Sequence, residues 1–222
     1  MSHPAPPAGF TNAPNASNAP KRALIVIDVQ NEYFNGKLRI SYPDVAITLP
    51  NICRAMDAAA AAGIPVVVVQ HLMPSGAPVF ARGSDTAALH PEIARRPHDL
   101  LVEKTMASAL TGTSLGGWLR ERGIDTLVVV GYMTHNCDDS TVRQAHHEGW
   151  KVELLHDATG ALPYRNAAGA ATAEEIHRVF TVVMHSNFAA VASTEDWLAA
   201  VEAGAPLPVD NVFLSHQRAV GG

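Results

Sequence analysis

Several short runs of apolar, mostly β-branched residues punctuate the chain, at 23–29, 64–71, 99–104, 126–130 and 151–156. Most are apolar at successive positions rather than alternate ones, so both faces must be covered. That is the pattern of strands inside a parallel sheet. Between them the apolar period changes to that of a helix. Over 50–62, Ile52, Met56, Ala59 and Ala60 form one stripe, with Pro50 in the first turn and Gly63 past the end. Further helices are expected at 114–122, stopped by Gly123, from 142 onward with Val142, Ala145, His146 and Gly149 on a packed face, and at 172–184. Thr194 suits the N-cap of a last helix over 195–203, and a short strand is expected at 189–192. Strands alternating with helices place a parallel sheet between two helical layers. The expected fold class is therefore α/β, a three-layer α/β/α sandwich with a five- or six-stranded, mostly parallel sheet.

The flanks read differently. Residues 1–21 are rich in Pro, Ala and Asn, which predicts a flexible arm without a secretory leader pattern. Residues 22–203 form one domain, and 204–222 a Pro- and Gly-punctuated tail that wraps the surface. The irregular stretch from 73 to 98 is long enough to be expected over part of a pocket. Net charge is −5 with no basic stripe, which excludes nucleic acid and an anionic membrane surface as partners. No apolar run reaches the length of a membrane span. Two cysteines, Cys53 and Cys137, make no disulfide framework, so a cytoplasmic location is expected.

Chemistry-bearing residues gather at strand ends. Asp28 interrupts the first strand near its carboxyl end, His71 ends the second, Lys104 ends the third, and Cys137 follows the fourth. In an open α/β sheet those ends face one crevice. At the start of a helix, unpaired N–H groups and the helix dipole favour a thiolate at Cys137, although a small buried residue also suits that turn. Asp28 could equally cap its turn, and Lys104 alone could be a surface residue. Together they make sense: a carboxylate takes the thiol proton, an ammonium holds the thiolate, and the thiolate attacks a carbonyl. Cys53 belongs to the core. Tyr33 and Phe34 wall a pocket or simply pack. His135 and Asn136 border the pocket as substrate contacts. Asp138 and Asp139 read as solvated first-turn acids. The turn after the first strand has no Gly-rich phosphate loop. The eleven histidines show no metal-ligand spacing, so neither metal nor cofactor is expected.

Four motifs in order carry a resemblance: Ile27-Asp28-Val29-Gln30; Glu103-Lys104 with Ser108 beyond; Gly131-Tyr132-Met133-Thr134; and Cys137 followed by Thr141, Arg143 and Ala145. With Asp157-Ala158-Thr159, they resemble the isochorismatase-like cysteine hydrolase superfamily over about residues 22–203. That superfamily includes nicotinamidases, N-carbamoylsarcosine amidases, ureidoacrylate amidohydrolases and isochorismatases. The resemblance implies Asp28 as general base, Lys104 as its cationic partner and Cys137 as nucleophile. It also implies a cis peptide between Tyr132 and Met133, and an oxyanion hole formed by the N–H groups of Met133 and Cys137. The implied reaction is cleavage of a C–N bond in a small amide, ureide or carbamoyl substrate through a thioester, by a dimer or tetramer of the chain. A vinyl-ether hydrolase and a non-catalytic thiol sensor or ligand-binding module are the alternatives. Three departures stand out. The run from His71 to Ser75 lacks the nicotinamidase metal motif, Asp138 stands where the family has an apolar residue, and Leu110 replaces an aromatic. Tyr33, Phe34, Leu72 and Leu110 are expected to shape specificity.

Overall fold

The computed structural model describes residues 19–221. The expected arm over 1–21 therefore lies outside the described residues except for its last three. Strand β1 (Arg22–Ile27) is buried at all six positions. It pairs in parallel with β2 (Val66–His71) on one side and β4 (Thr126–Tyr132) on the other. β3 (Leu100–Lys104) extends the sheet beyond β2. β5 (Lys151–Gly160) and β8 (Ala190–Ala192) extend it beyond β4. The six-stranded order is β3-β2-β1-β4-β5-β8, with every pairing parallel. The chain thus winds outward from β1 in one direction and from β4 in the other. The switch point, where ligands bind in such sheets, lies between β1 and β4.

Two cores sandwich the sheet, because alternate residues of each buried strand face opposite sides. Leu24, Val26, Val66 and Val68 pack with Ile52, Ala55 and Met56 of α1 (Val45–Ala61) and Trp197 of α6 (Thr194–Glu202). Ile25, Ile27, Val67 and Val69 pack against the opposite layer. That layer holds Leu115 and Leu119 of α3 (Leu115–Glu121), Val142 and Ala145 of α4 (Asp139–His147), and Met184 of α5 (Ala173–His185). A short α2 (Pro91–Ala94) interrupts the stretch after β2.

Four differences from the sequence reading have physical reasons. Helix α1 starts at Val45 rather than 50, because Asp44 caps it by accepting the Ala46 N–H at 2.8 Å. Pro50 is carried inside on the exposed side. Strand β5 runs to Gly160, past the polar His156 and Asp157, because its register with β4 shifts beyond Val129 and pairs Gly131 with Thr159. An antiparallel hairpin, β6 (Tyr164–Asn166) and β7 (Gly169–Ala171), follows it. Its residues are mostly exposed and lack the apolar alternation that marks a strand. The tail also holds a helix, α7 (Val212–Val220), capped by the Asn211 side chain on the Leu214 N–H.

One buried ion pair ties the tail to the sheet. Arg22 of β1 holds Glu153 of β5 through Nε and Nη2, both at 2.8 Å. Glu153 also accepts from Trp197 Nε1 at 3.1 Å, and Arg22 donates to the Ala205 carbonyl at 2.6 Å.

Candidate active site

Asp28 follows β1 directly, with φ of 52° in the left-handed region. Asp is among the few residues other than Gly that tolerate it. The Asp28 N–H donates to the Val69 carbonyl at 3.0 Å, so the backbone is held while the side chain turns into the crevice. Lys104 ends β3, two strands away and roughly 10 Å across the sheet. Only a long side chain can cover that span. Its Nζ passes the end of β2, 3.2 Å from His71 Nδ1, and stops 2.7 Å from Asp28 Oδ2. The Cys137 sulfur lies 3.3 Å from the same nitrogen, and the Met106 carbonyl accepts from it at 3.2 Å. Asp28, Lys104 and Cys137 are therefore brought together, and all three are buried. The Asp28–Lys104 contact is a close charge pair with no solvent exposure on either side chain.

The cysteine turn differs from the expected helix start. Residues Thr134–Asp138 form a π-turn, and α4 begins only at Asp139. The N–H groups of Asn136 and Asp138 both donate to the Met133 carbonyl, at 3.0 and 3.2 Å. The Tyr132–Met133 peptide is cis. The Thr141 hydroxyl fixes the turn from beneath, donating to the Cys137 carbonyl at 2.7 Å and accepting from Ala109 N–H at 2.9 Å.

Burial governs the charges. It pushes the Cys137 thiol up, Asp28 adds to the effect, and Lys104 offsets only part. Burial thus works against the thiolate that a helix start would favour. A third charge would leave the Asp28–Lys104 pair with a net negative charge in a dry site. Burial also raises Asp28, with Lys104 opposing it. Burial works against the Lys104 ammonium, but Asp28 and Cys137 outweigh it and hold its pKa above the ordinary value. His71 is lowered to about 4 by burial and then by Lys104, so it is neutral and accepts the Lys104 hydrogen bond.

The other expected contacts separate into two groups. Tyr33 is buried, its ring 5.4 Å from Tyr132 and 5.3 Å from Phe80, and its pKa is raised by burial and then by Cys137 and Asp28. His135 lies half-buried between Tyr164 of the hairpin and Phe180 of α5, ring centroids at 5.0 and 6.0 Å. Both its nitrogens are without a hydrogen-bond partner among the described residues. Leu110 packs in the core that holds Cys137. Phe34 lies between His90 and Tyr132, ring centroids at 4.3 and 5.8 Å. By contrast, Leu72 continues the sheet by donating its N–H to the Lys104 carbonyl, and Asn136 is exposed.

Asp138 is a further correction. It is fully buried rather than solvated, and neither carboxyl oxygen has a partner among the described residues. Asp139 is the acid that behaves as a first-turn residue, pairing with Arg143 at 2.8 Å.

Sequence reasoning left Gln30 without a role. It is fully buried, donates to the carbonyls of His71 and Ala87 at 2.9 and 2.6 Å, and accepts the His71 N–H at 2.9 Å. It thereby fastens β2 and the following loop to the residue beside Asp28's turn. A polar residue directly after an apolar strand was the available signal. Among the described residues, no group of three or more His, Cys, Asp or Glu side chains is placed to hold a metal ion. A groove of about 690 Å³ opens elsewhere, lined by Trp150, His185, Phe188 and Leu207, and touches none of the three central residues.

The isochorismatase domain family matches residues 22–196. The chain belongs to the isochorismatase family. A crystal structure of a candidate isochorismatase from Burkholderia xenovorans is 62% identical, with a TM-score of 0.90, covering 91% of this chain and 97% of that one. Ureidoacrylate amidohydrolase RutB of Stutzerimonas stutzeri is 33% identical over 179 residues, 66% of this chain and 72% of the relative. Secreted isochorismatase effector Isc1 of Verticillium dahliae is 35% identical over 147 residues, 66% of this chain and 76% of the relative. This chain is an isochorismatase-family hydrolase with amidohydrolase relatives.

Proposed function

We propose that this isochorismatase-family hydrolase is a cysteine-dependent amidohydrolase that cleaves a C–N bond of a small amide, ureide or carbamoyl compound. One observation carries the reading: Lys104 Nζ stands 2.7 Å from Asp28 and 3.3 Å from the Cys137 sulfur. A thiol sensor needs the sulfur alone; this arrangement adds a base and a cation, all three buried.

In the proposed cycle, Asp28 accepts the Cys137 proton as the sulfur attacks the substrate carbonyl. The net charge of the site stays constant, and Lys104 takes the thiolate as its partner in place of the neutralised Asp28. The N–H groups of Met133 and Cys137 hold the oxyanion, each such donor being worth about 3 kcal/mol in the transition state. The C–N bond breaks as Asp28 returns the proton to the departing nitrogen. Water, deprotonated by Asp28, then attacks the thioester. The acid is released, and Cys137 recovers its proton.

The test is ammonia release from nicotinamide, carbamoyl amino acids, ureidoacrylate and biuret, after chelator treatment, by wild type and Cys137→Ala. Release by wild type alone supports the reading. Ammonia release that survives Cys137→Ala sinks it; a vinyl ether cleaved by both proteins, with no ammonia from any amide, favours a vinyl-ether hydrolase, a reading that the similarity to the effector Isc1 keeps open. We also infer a homo-oligomer. Val212, Phe213, Leu214 and Val220 of α7 are all exposed, and a nine-residue helix gains little stability without packing. Size-exclusion chromatography of the full chain and of a chain ending at residue 210 tests this. The two free cysteines support a cytoplasmic location. No helix among the described residues is long and apolar enough to cross a membrane.

A further inference from the structure

Asp138 is the one buried acid of the site that the proposed cycle does not use. A carboxyl with both oxygens buried and without a partner among the described residues is costly to the fold, and an apolar residue of similar size would remove the cost. It directly follows the nucleophile, and its N–H is fastened to the Met133 carbonyl at 3.2 Å, so the side chain is held with the turn that carries Cys137. Asp28 and Lys104 both act on its charge, and the Tyr33 phenol senses Cys137, Asp28 and Asp138 alike. Asp138 shares the turn Thr134–Asp138 with the reacting sulfur, and both residues are buried.

Charge balance narrows what such a carboxyl can meet. Lys104 is committed to Asp28, Arg143 to Asp139, and Arg82 to Glu103. A substrate carboxylate would enter as a further acid beside Asp28 and Asp138, with none of these cations free to receive it. Burial, and then Asp28, hold the Asp138 carboxyl well above the usual carboxylate range. A neutral carboxyl both donates and accepts a hydrogen bond, which matches the two groups along one edge of an amide or ureide.

We propose that Asp138 is a specificity-determining residue, its carboxyl binding the amide or ureido edge of an uncharged substrate at the Cys137 centre and disfavouring substrates that carry a carboxylate there. The proposal rests on the hydrolase reading for the identity of the reacting group, but its test needs no turnover. Cys137 alkylation is measured with iodoacetamide and with iodoacetate, in a Cys53→Ala background, and each rate is divided by that of a small free thiol. These reagents differ only in presenting an amide or a carboxylate beside the reacting carbon. The expected result is a preference for iodoacetamide that Asp138→Asn retains and Asp138→Val reduces about tenfold, the worth of one good hydrogen bond. Circular dichroism and thermal melting establish that both variants fold. A preference unchanged in folded Asp138→Val overturns the proposal, and so does its loss in Asp138→Asn. Normal alkylation selectivity together with no hydrolysis of any amide sinks the hydrolase reading alone. Failure of iodoacetamide to reach Cys137 overturns both.

Discussion

The Lys104 ammonium lies 2.7 Å from the Asp28 carboxylate with no solvent exposure on either side chain. Burying one charge without the other is expensive, so each residue makes the other tolerable. Lys104→Met leaves Asp28 alone in the dry crevice and is expected to cost about 3–5 kcal/mol in urea denaturation. Adding Asp28→Asn to that variant should return a large part of the loss, because the orphaned charge is gone. If the double variant is as unstable as the sum of the singles, the pair is not coupled in the folded protein.

Gln30 is expected to matter for activity without touching the sulfur. Gln30→Leu leaves the carbonyl of Ala87 and both backbone groups of His71 without this partner. A loss of about 1–3 kcal/mol is expected from the buried groups left unmade. His71 in turn contacts Lys104, so ammonia release should fall while Cys137 stays open to alkylation at the wild-type rate. Unchanged melting and unchanged activity would show that the loop holds its place by other contacts.

His177 sets an acid limit to stability. It is buried, with Nδ1 3.0 Å from the Thr134 hydroxyl, and burial, followed by neighbouring His156, lowers it to about 4 from an ordinary 6.5. Between those values the unfolded chain binds the proton and the folded chain does not. The contribution of His177 is therefore complete above pH 6.5 and is lost as pH falls toward 4, at no more than about 1.4 kcal/mol per pH unit. Unfolding free energies of wild type and His177→Gln across that window check this. The difference between them should narrow as pH drops; a parallel pair of curves contradicts it.

Gly131 is where β4 presses against β1. A Cβ added there would lie 2.0 Å from the Ile27 carbonyl oxygen, and its φ of 115° suits no L side chain. Gly131→Ala must push β4 away from β1, opening the gap between Asp28 and the Cys137 turn. Loss of both soluble yield and activity is expected. A soluble, fully active variant would mean that the two strands separate more easily than the ladder suggests.

The layers and the central residues were legible because they rest on strong local signals. Uninterrupted apolar runs such as Leu24 to Ile27 can only be doubly covered strands, and Asp28, Lys104 and Cys137 stand out by ending such segments. What was illegible depends on partners distant in sequence. Nothing local separates buried Asp138 from half-buried Asp139, since two adjacent acids give the same local signal. The β6–β7 hairpin has little apolar pattern to read, because its residues are mostly exposed. The start of α1 was missed for a local reason: Pro50 looked like a first-turn residue, while the cap at Asp44 lay a turn and a half earlier.

Strand order has a consequence for how such a protein can change over generations. The reacting groups are anchored to β1, β3 and the end of β4, inside a hydrogen-bonded ladder that tolerates little alteration. The parts that surround them, the loop carrying Phe80 and the hairpin carrying Tyr164, hang outside that ladder. Insertions and exchanges there leave the strand register untouched. A lineage can therefore try new substrates by rewriting two peripheral segments while inheriting its chemistry whole. On the proposed role of Asp138, a single change beside Cys137 can alter which molecules are accepted without rebuilding the scaffold.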